Sequence, residues 1–195
     1  MKLVFAAATA AVFFTAAPSY AVSVISVGQS QAGDCFQSAA ETTRMEVSDI
    51  RLQKGIAGCN LALAGDISQV SRAGTLINRA MLQAAAGRDE AAIADYTAGL
   101  ALNPRQAKGY LNRGMLYLAN GRYDDARADF DQAIALNVAD LHIAYFNRGE
   151  AEEASGNIVA AYRDYLRAQV LAPDFQPAQT ELARFHVVRR LASKS

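Results

Sequence analysis

Residues 107–140 read AKGYLNRGMLYLANGRYDDARADFDQAIALNVAD, and this stretch has an echo on either side. Asn112-Arg113-Gly114 returns as Asn78-Arg79-Ala80 upstream and as Asn147-Arg148-Gly149 downstream. Each triplet is followed by a Gly break at Gly87, Gly121 or Gly156. Each break leads through a buried-type Ala (Ala92, Ala126, Ala161) to an Asp-aromatic pair: Asp95-Tyr96, Asp129-Phe130 or Asp164-Tyr165. The step from Ala80 to Gly114 is 34 residues and from Gly114 to Gly149 it is 35. A fixed period near this length, with two apolar helical stretches per unit, predicts stacked helix–turn–helix units. The fold class expected is all-α: an α-solenoid of about three repeats with flanking N- and C-terminal helices. A stack of this kind offers a long concave face to other chains.

The boundaries follow from the breaks. The first unit covers 73–106, with Leu76, Ile77 and Leu82 in its front helix. Its back helix holds Ala92, Ile93, Tyr96 and Leu100 and closes at Leu102-Asn103-Pro104, where Pro stops the helix. The second covers 107–140 and the third 142–175. The extra residue falls in the 138–141 connector, where a loop accepts it at little cost. Small residues at 80, 114 and 149 let each front helix approach its partner, and Tyr96, Phe130 and Tyr165 are expected to fill the space between neighbouring units. A last amphipathic helix near Pro177 belongs to a capping segment, 176–195, with Glu181 and Arg184 on its solvated face.

Ahead of the repeats, Lys2, the uncharged apolar run Leu3–Ala17 and Ser19-Tyr20-Ala21 form a secretory signal pattern over 1–21. The run is short for a membrane span, and no other segment is apolar enough to be one. The short, Ala-rich signal points to export, with the periplasm as destination. Residues 22–72 are expected to hold an extended arm over 22–33, a short helix capped by Asp34 and a longer one from Asp49 to Ala64 capped by Ser48. Ile50, Ile56, Ala57, Leu61 and Leu63 give the longer helix an apolar stripe. Cys35 and Cys59, an even count in an exported chain, point to a disulfide. Its loop is worth on the order of 3 kcal/mol by chain entropy, and two buried free thiols are the alternative.

The repeated residues resemble the tetratricopeptide repeat family over about 73–175. The matching features are the small front-helix residue, the Gly turn, the mid-helix Ala, the Asp-aromatic pair and the closing Leu-Asn-Pro or Leu-Ala-Pro. Leu76 for an aromatic, Val138 for the closing Pro and Gly99 for Ala depart from the pattern. The layout is similar to exported repeat proteins of alphaproteobacteria. The resemblance implies a concave groove lined by the front helices. By register its lining would be Ile77 and Met81, then Lys108, Leu111, Asn112, Met115 and Leu118, then Phe146, Asn147, Glu150 and Glu153. The alternative for the apolar members is filler between helices. The family's clamp for a C-terminal carboxylate does not fit, because Ile77, Met81 and Ile143 stand where basic or amide side chains are required.

The 195 residues are 52% hydrophobic and 19% charged, with 19 basic and 19 acidic side chains. That balance supports a packed core and lacks the basic footprint of a nucleic-acid binder. The repeated Arg are read as ion-pairing to Asp or Glu of an adjacent helix, and Asp124, Asp125, Asp129 and Asp131 as helix capping and solvation. Glu150 and Glu153, one turn apart, are read as an acidic groove end suited to a basic segment. His142 and His186 are read as structural. No phosphate loop, dinucleotide fingerprint, zinc spacing or nucleophile elbow is present, so no cofactor, metal or catalytic residue is expected. The function expected is non-enzymatic binding of a protein or peptide on the concave face. The alternative is a structural, self-associating role through the convex face or the N-terminal arm; the oligomeric state stays open.

Overall fold

The computed structural model describes residues 31–42 and 48–192, and all its regular elements there are helices. The signal pattern and most of the arm lie outside the described residues. In chain order the helices are α1 (Gln31–Thr42), α2 (Asp49–Ala64), α3 (Gln69–Ala85), α4 (Asp89–Leu102), α5 (Ala107–Ala119), α6 (Tyr123–Ala135), α7 (Leu141–Ala154), α8 (Ile158–Leu171) and α9 (Gln176–Ala192). α3–α4, α5–α6 and α7–α8 are the three hairpins of the repeat, and each packs on the next. α1 begins ahead of Asp34, so this residue sits in its first turn instead of capping it. α3 likewise starts four residues before 73, where the Ser68 hydroxyl oxygen accepts from the Ser71 N–H at 3.1 Å.

The hairpin turns share one device. Gly87, Gly121 and Gly156 have φ of 68°, 71° and 82°, a left-handed conformation that glycine adopts without strain. The amide after each glycine returns to the preceding helix: Arg88 N–H to Gln83 O, Arg122 N–H to Tyr117 O and Asn157 N–H to Glu152 O. This closes the front helix with a Schellman motif. The second unit uses the same motif again at its far end. Asn137 takes φ 54°, and Val138 N–H bonds Ala133 O. Without the closing Pro of its neighbours, the unit ends on this cap, and the extra residue of the 35-residue step is absorbed there.

Inside each hairpin the front helix rides on the ring of its own back helix. A Cβ on Gly114 would lie 2.7 Å from Phe130 Cε1, and one on Gly149 2.7 Å from Tyr165 Cε1. The aromatics therefore pack within the unit as well as towards the next element, where Tyr96 stands beside Asn112 of α5 and Tyr165 beside Phe185 of α9.

Beside the ring, Arg79 donates to both carboxylate oxygens of Asp95 at 2.6 Å, and Arg113 to both of Asp129 at 2.7 and 2.8 Å. Arg148 grips Asp164 in the same way at 2.8 and 2.7 Å. The third guanidinium nitrogen reaches the back helix of the unit before: Asn60 Oδ1, Thr97 Oγ1 and Asp131 Oδ1 respectively. Burial raises the Asp129 carboxyl above its ordinary range although the Arg113 fork works against the rise. The fork raises Arg79 further, the hydrogen bond to Asp95 being its chief cause. The Asp run thus divides. Asp124 and Asp125 are exposed in the first turn of α6, paired locally with Arg127 and Arg122, whereas Asp129 and Asp131 hold helices together instead of capping.

The N-terminal helices add a further unit. Cys35 and Cys59 are joined by a disulfide that is fully buried. α1 packs against both α2 and α3. Gly55 gives the close approach, since a Cβ there would meet Ser38 Cβ at 2.8 Å and Leu82 Cδ1 at 3.1 Å. This contact and the disulfide choose the buried face of α2: Leu52, Gly55, Ile56, Cys59 and Ala62. The stripe expected there is wrong except for Ile56 and part of Leu63, because Ile50, at 83% exposure, Ala57 and Leu61 face outward.

Arg113→Met is expected to cost about 3 kcal/mol, because it strands a buried carboxylate. Arg113→Met with Asp129→Leu is expected to recover most of that loss. Urea unfolding followed by circular dichroism measures both; equal losses in the single and double variants would show that the fork does not hold the hairpin.

Candidate functional site

The concave side is formed by α3, α5 and α7, and helical register assigns its residues. Gly109 looks back at the preceding unit, since a Cβ there would meet Leu100 Cδ2 at 2.9 Å and Ile77 Cδ1 at 3.1 Å. Asn112, almost one turn on, lies beside the Tyr96 hydroxyl of that unit and opposes the strong rise that burial imposes on it. Phe146 looks forward, its ring 5.5 Å from Tyr165 and 5.3 Å from Phe175. Between the backward and forward faces runs the open ridge: Lys108, Met115 and Ala119 on α5, Ile143, Glu150 and Ala154 on α7, all partly or fully exposed.

The expected lining separates into three groups. Ile77 and Leu111, at 1% and 3% exposure, and Met81 are core residues. They fill the forward face between units and have no area to offer a ligand, which corrects their place in the groove. Asn112 and Asn147 are buried, with both amide nitrogens closed to solvent and without a well-formed hydrogen bond among the described residues, Asn112 having only the nearby Tyr96 hydroxyl. Lys108, Met115, Leu118, Phe146, Glu150 and Glu153 are partly exposed. Of these, Met115 and Leu118 also pack against the core of the second unit.

The third-unit end gathers the charged groups. Glu153 accepts from the Tyr165 hydroxyl at 2.9 Å and from Arg184 Nη2 at 2.8 Å, while Arg184 also pairs with Glu181. α9 therefore turns Glu181 towards α7, away from the solvated face expected for it, while Arg184 reaches Glu153 and stays 59% exposed. Burial, and then the Glu153 carboxylate that accepts its proton, push the Tyr165 hydroxyl far above its usual range. Glu150 has no cationic or hydrogen-bonding partner among the described residues. Burial pushes its carboxyl up to about 7, with Glu181 and Glu153 adding to the rise. His142 meets Phe175 edge-on at 5.0 Å and serves packing; the side chain of His186 lies outside the described residues. Among the described residues no cluster of His, Cys, Asp and Glu could hold a metal ion.

Three members of this neighbourhood were not expected. Tyr165, Glu181 and Arg184 come from α8 and α9, and a reading restricted to front helices passes over them. Asn78, the first-unit equivalent of Asn112, is also unbonded at both amide atoms and fully buried, on the α3 face shared with Thr75 and Leu82 that meets α1 and α2. The groove is thus open from the second unit onward.

Glu150 makes stability depend on pH. Its carboxyl is near 7 when folded and 4.5 at its reference value. The stabilising difference is present below the lower value and is lost as pH rises through the higher one. Glu150→Gln removes this component. Its advantage over the native chain is expected to grow between pH 5 and pH 8, by up to roughly 3 kcal/mol. Denaturant titrations at both pH values check this, and an advantage that stays flat would contradict it.

A family model for the tetratricopeptide repeat matches residues 107–138. Compared with curated proteins, the chain has no match. Among solved structures it is similar to the second tetratricopeptide domain of human RPAP3 in complex with the HSP70 peptide SGPTIEEVD. The identity is 31%, covering 60% of this chain and 97% of that one, with a TM-score of 0.56. The first such domain of Spaghetti (RPAP3), bound to the HSP90 peptide SRMEEVD, is 28% identical over 63% of this chain and 95% of its own, at 0.57. MamA shares the fold over 86% of this chain and 88% of its own, at 18% identity and 0.67. No helix among the described residues is long and apolar enough to cross a membrane. With its three hairpins in register and a relative at this identity covered almost end to end, the chain belongs to the tetratricopeptide repeat family.

Proposed function

We propose that this chain is a non-enzymatic scaffold that binds an extended segment of another protein along the concave face of α5 and α7. The observation that carries this reading is the open ridge of partly exposed side chains that change from unit to unit on successive front helices: Lys108 and Met115 on α5, Ile143 and Glu150 on α7. Such a ridge suits an extended peptide lying along the stack. Met115, partly exposed, supplies adaptable apolar contact. The peptides held by the RPAP3 domains support the same class of ligand. The signal pattern over 1–21 and the Cys35–Cys59 disulfide support export to an oxidising compartment, the periplasm.

Lys108→Glu with Met115→Gln is expected to leave the fold intact, since both side chains are partly exposed. Peptides retained on a degenerate array should bind this variant at least tenfold more weakly, about 1.4 kcal/mol. Unchanged retention would count against the concave face.

A second reading, association through the convex side, is favoured by α8. Val159, Leu166 and Val170 lie on its outer face at 64%, 36% and 68% exposure. The same register positions carry Glu90, Thr97 and Ala101 on α4, and Asp124, Asp131 and Ala135 on α6. Exposed aliphatic side chains on one unit, where its siblings are polar or small, mark a contact surface. If the chain self-associates there, light scattering should give a stable oligomer that Val159→Asp with Val170→Asp converts to monomer. A native monomer at all concentrations removes this reading.

A further inference from the structure

At the third-unit end of the groove the carboxylates outnumber their cations. Glu153 and Glu181 share the single guanidinium of Arg184. Glu150, one turn before them on the open ridge, has no cation within ion-pair distance among the described side chains. Phe146, one turn before Glu150 on the same helix, is partly exposed and stands against Tyr165 and Phe175 as an aromatic wall. One stretch of α7 thus presents a carboxylate that lacks a cation beside rings whose faces attract positive charge.

We propose that this end of the groove takes a lysine or arginine side chain of the bound peptide, with Glu150 as its counter-ion. The inference rests on the groove reading above and names the ligand's chemistry. One basic residue satisfies both groups, its aliphatic stem lying along Phe146 and its charge beside Glu150. An acidic segment such as those in the RPAP3 complexes would set its carboxylates against Glu150, Glu153 and Glu181 and meet only Arg184, which is already paired. Among the described side chains, the charged and titratable groups that act on Glu150 are Glu153 on its own helix, Tyr165 on α8 and Glu181 on α9, with Arg184 paired to the two glutamates. With this surrounding the free carboxyl is half protonated near neutrality. Binding a cation must draw that proton off, so affinity falls as pH drops below 7.

The test uses the full chain with its disulfide formed and an array of immobilised peptides. These are degenerate in Ala, Leu and Ser, with one position fixed as Lys, Arg, Gln, Asp or Glu. At pH 8 the native chain is expected to retain Lys and Arg peptides at least tenfold better than Glu peptides. Glu150→Gln should bring that ratio to within about twofold, Glu150→Lys should invert it, and the native chain at pH 5.5 should resemble Glu150→Gln. Circular dichroism confirms that each variant is folded. Retention with no charge preference, or a preference that survives Glu150→Gln, overturns the basic side chain while leaving the groove reading standing. An array that retains nothing overturns both.

Discussion

The structure depends on one planar contact made three times: a guanidinium of a front helix gripping both oxygens of an aspartate sixteen residues later. Two parallel hydrogen bonds fix the direction of a side chain as well as its distance. The glycine beneath the aromatic ring sets how close the helices come, and the fork sets where along each other they stop. Because the third nitrogen of each arginine extends to the previous back helix, one side chain serves the fold of its own unit and its docking on the one before. A buried ion pair of this kind adds little net energy over well-packed apolar groups. What it adds is selection of one geometry, repeated identically, and a repeated geometry is what produces a continuous concave face.

That repetition explains which parts of the protein are legible in the sequence. The period, the hairpin turns and the hairpin boundaries rest on interactions within a window of about 34 residues, so local signals carry them. Asn78, Asn112 and Asn147 recur visibly for the same reason. The burial of α2 was misread because its partner face is chosen by Cys59 and Gly55, through contacts with α1 and α3 that no periodicity in α2 reveals. The side chains of Ile77, Met81 and Leu111 fall on the front helix within one turn of the open ridge. Whether such a residue is groove or core depends on the neighbouring unit's bulk at Gly99, Gly109 and Leu100, which a single-helix register does not weigh. Glu181 and Arg184 were legible as an amphipathic pair, but their direction required the placement of α9 against α7 and α8.

The units differ where the fold leaves freedom. Across the three ridges the position of Glu150 is occupied by Met81 and Met115, and that of Lys108 by Gly74 and Ile143. A scaffold that required only stability would have no reason to place a lone carboxylate where its siblings have methionine, next to two more carboxylates. The same holds on the convex side, where α8 exchanges Glu90 and Asp124 for Val159. Packing and forks repeat between the units of this chain, and Leu166 stands for Thr97 and Asp131 only where no further repeat arginine follows to be held.

The buried asparagines fit this division. Asn112 and Asn147 stand between the backward face and the open ridge, each with its amide nitrogen closed to solvent, so they belong to the seam between units as Ile77 and Leu111 do. Asn112 sits beside the Tyr96 hydroxyl there. What the front helices leave for a peptide is the outer line of the ridge, Lys108, Met115, Ile143 and Glu150, which carries the spacing of the solenoid. A peptide lying along it meets one repeated backbone geometry and side chains that change from unit to unit, so its own side chains are read by Met115, Phe146 and Glu150.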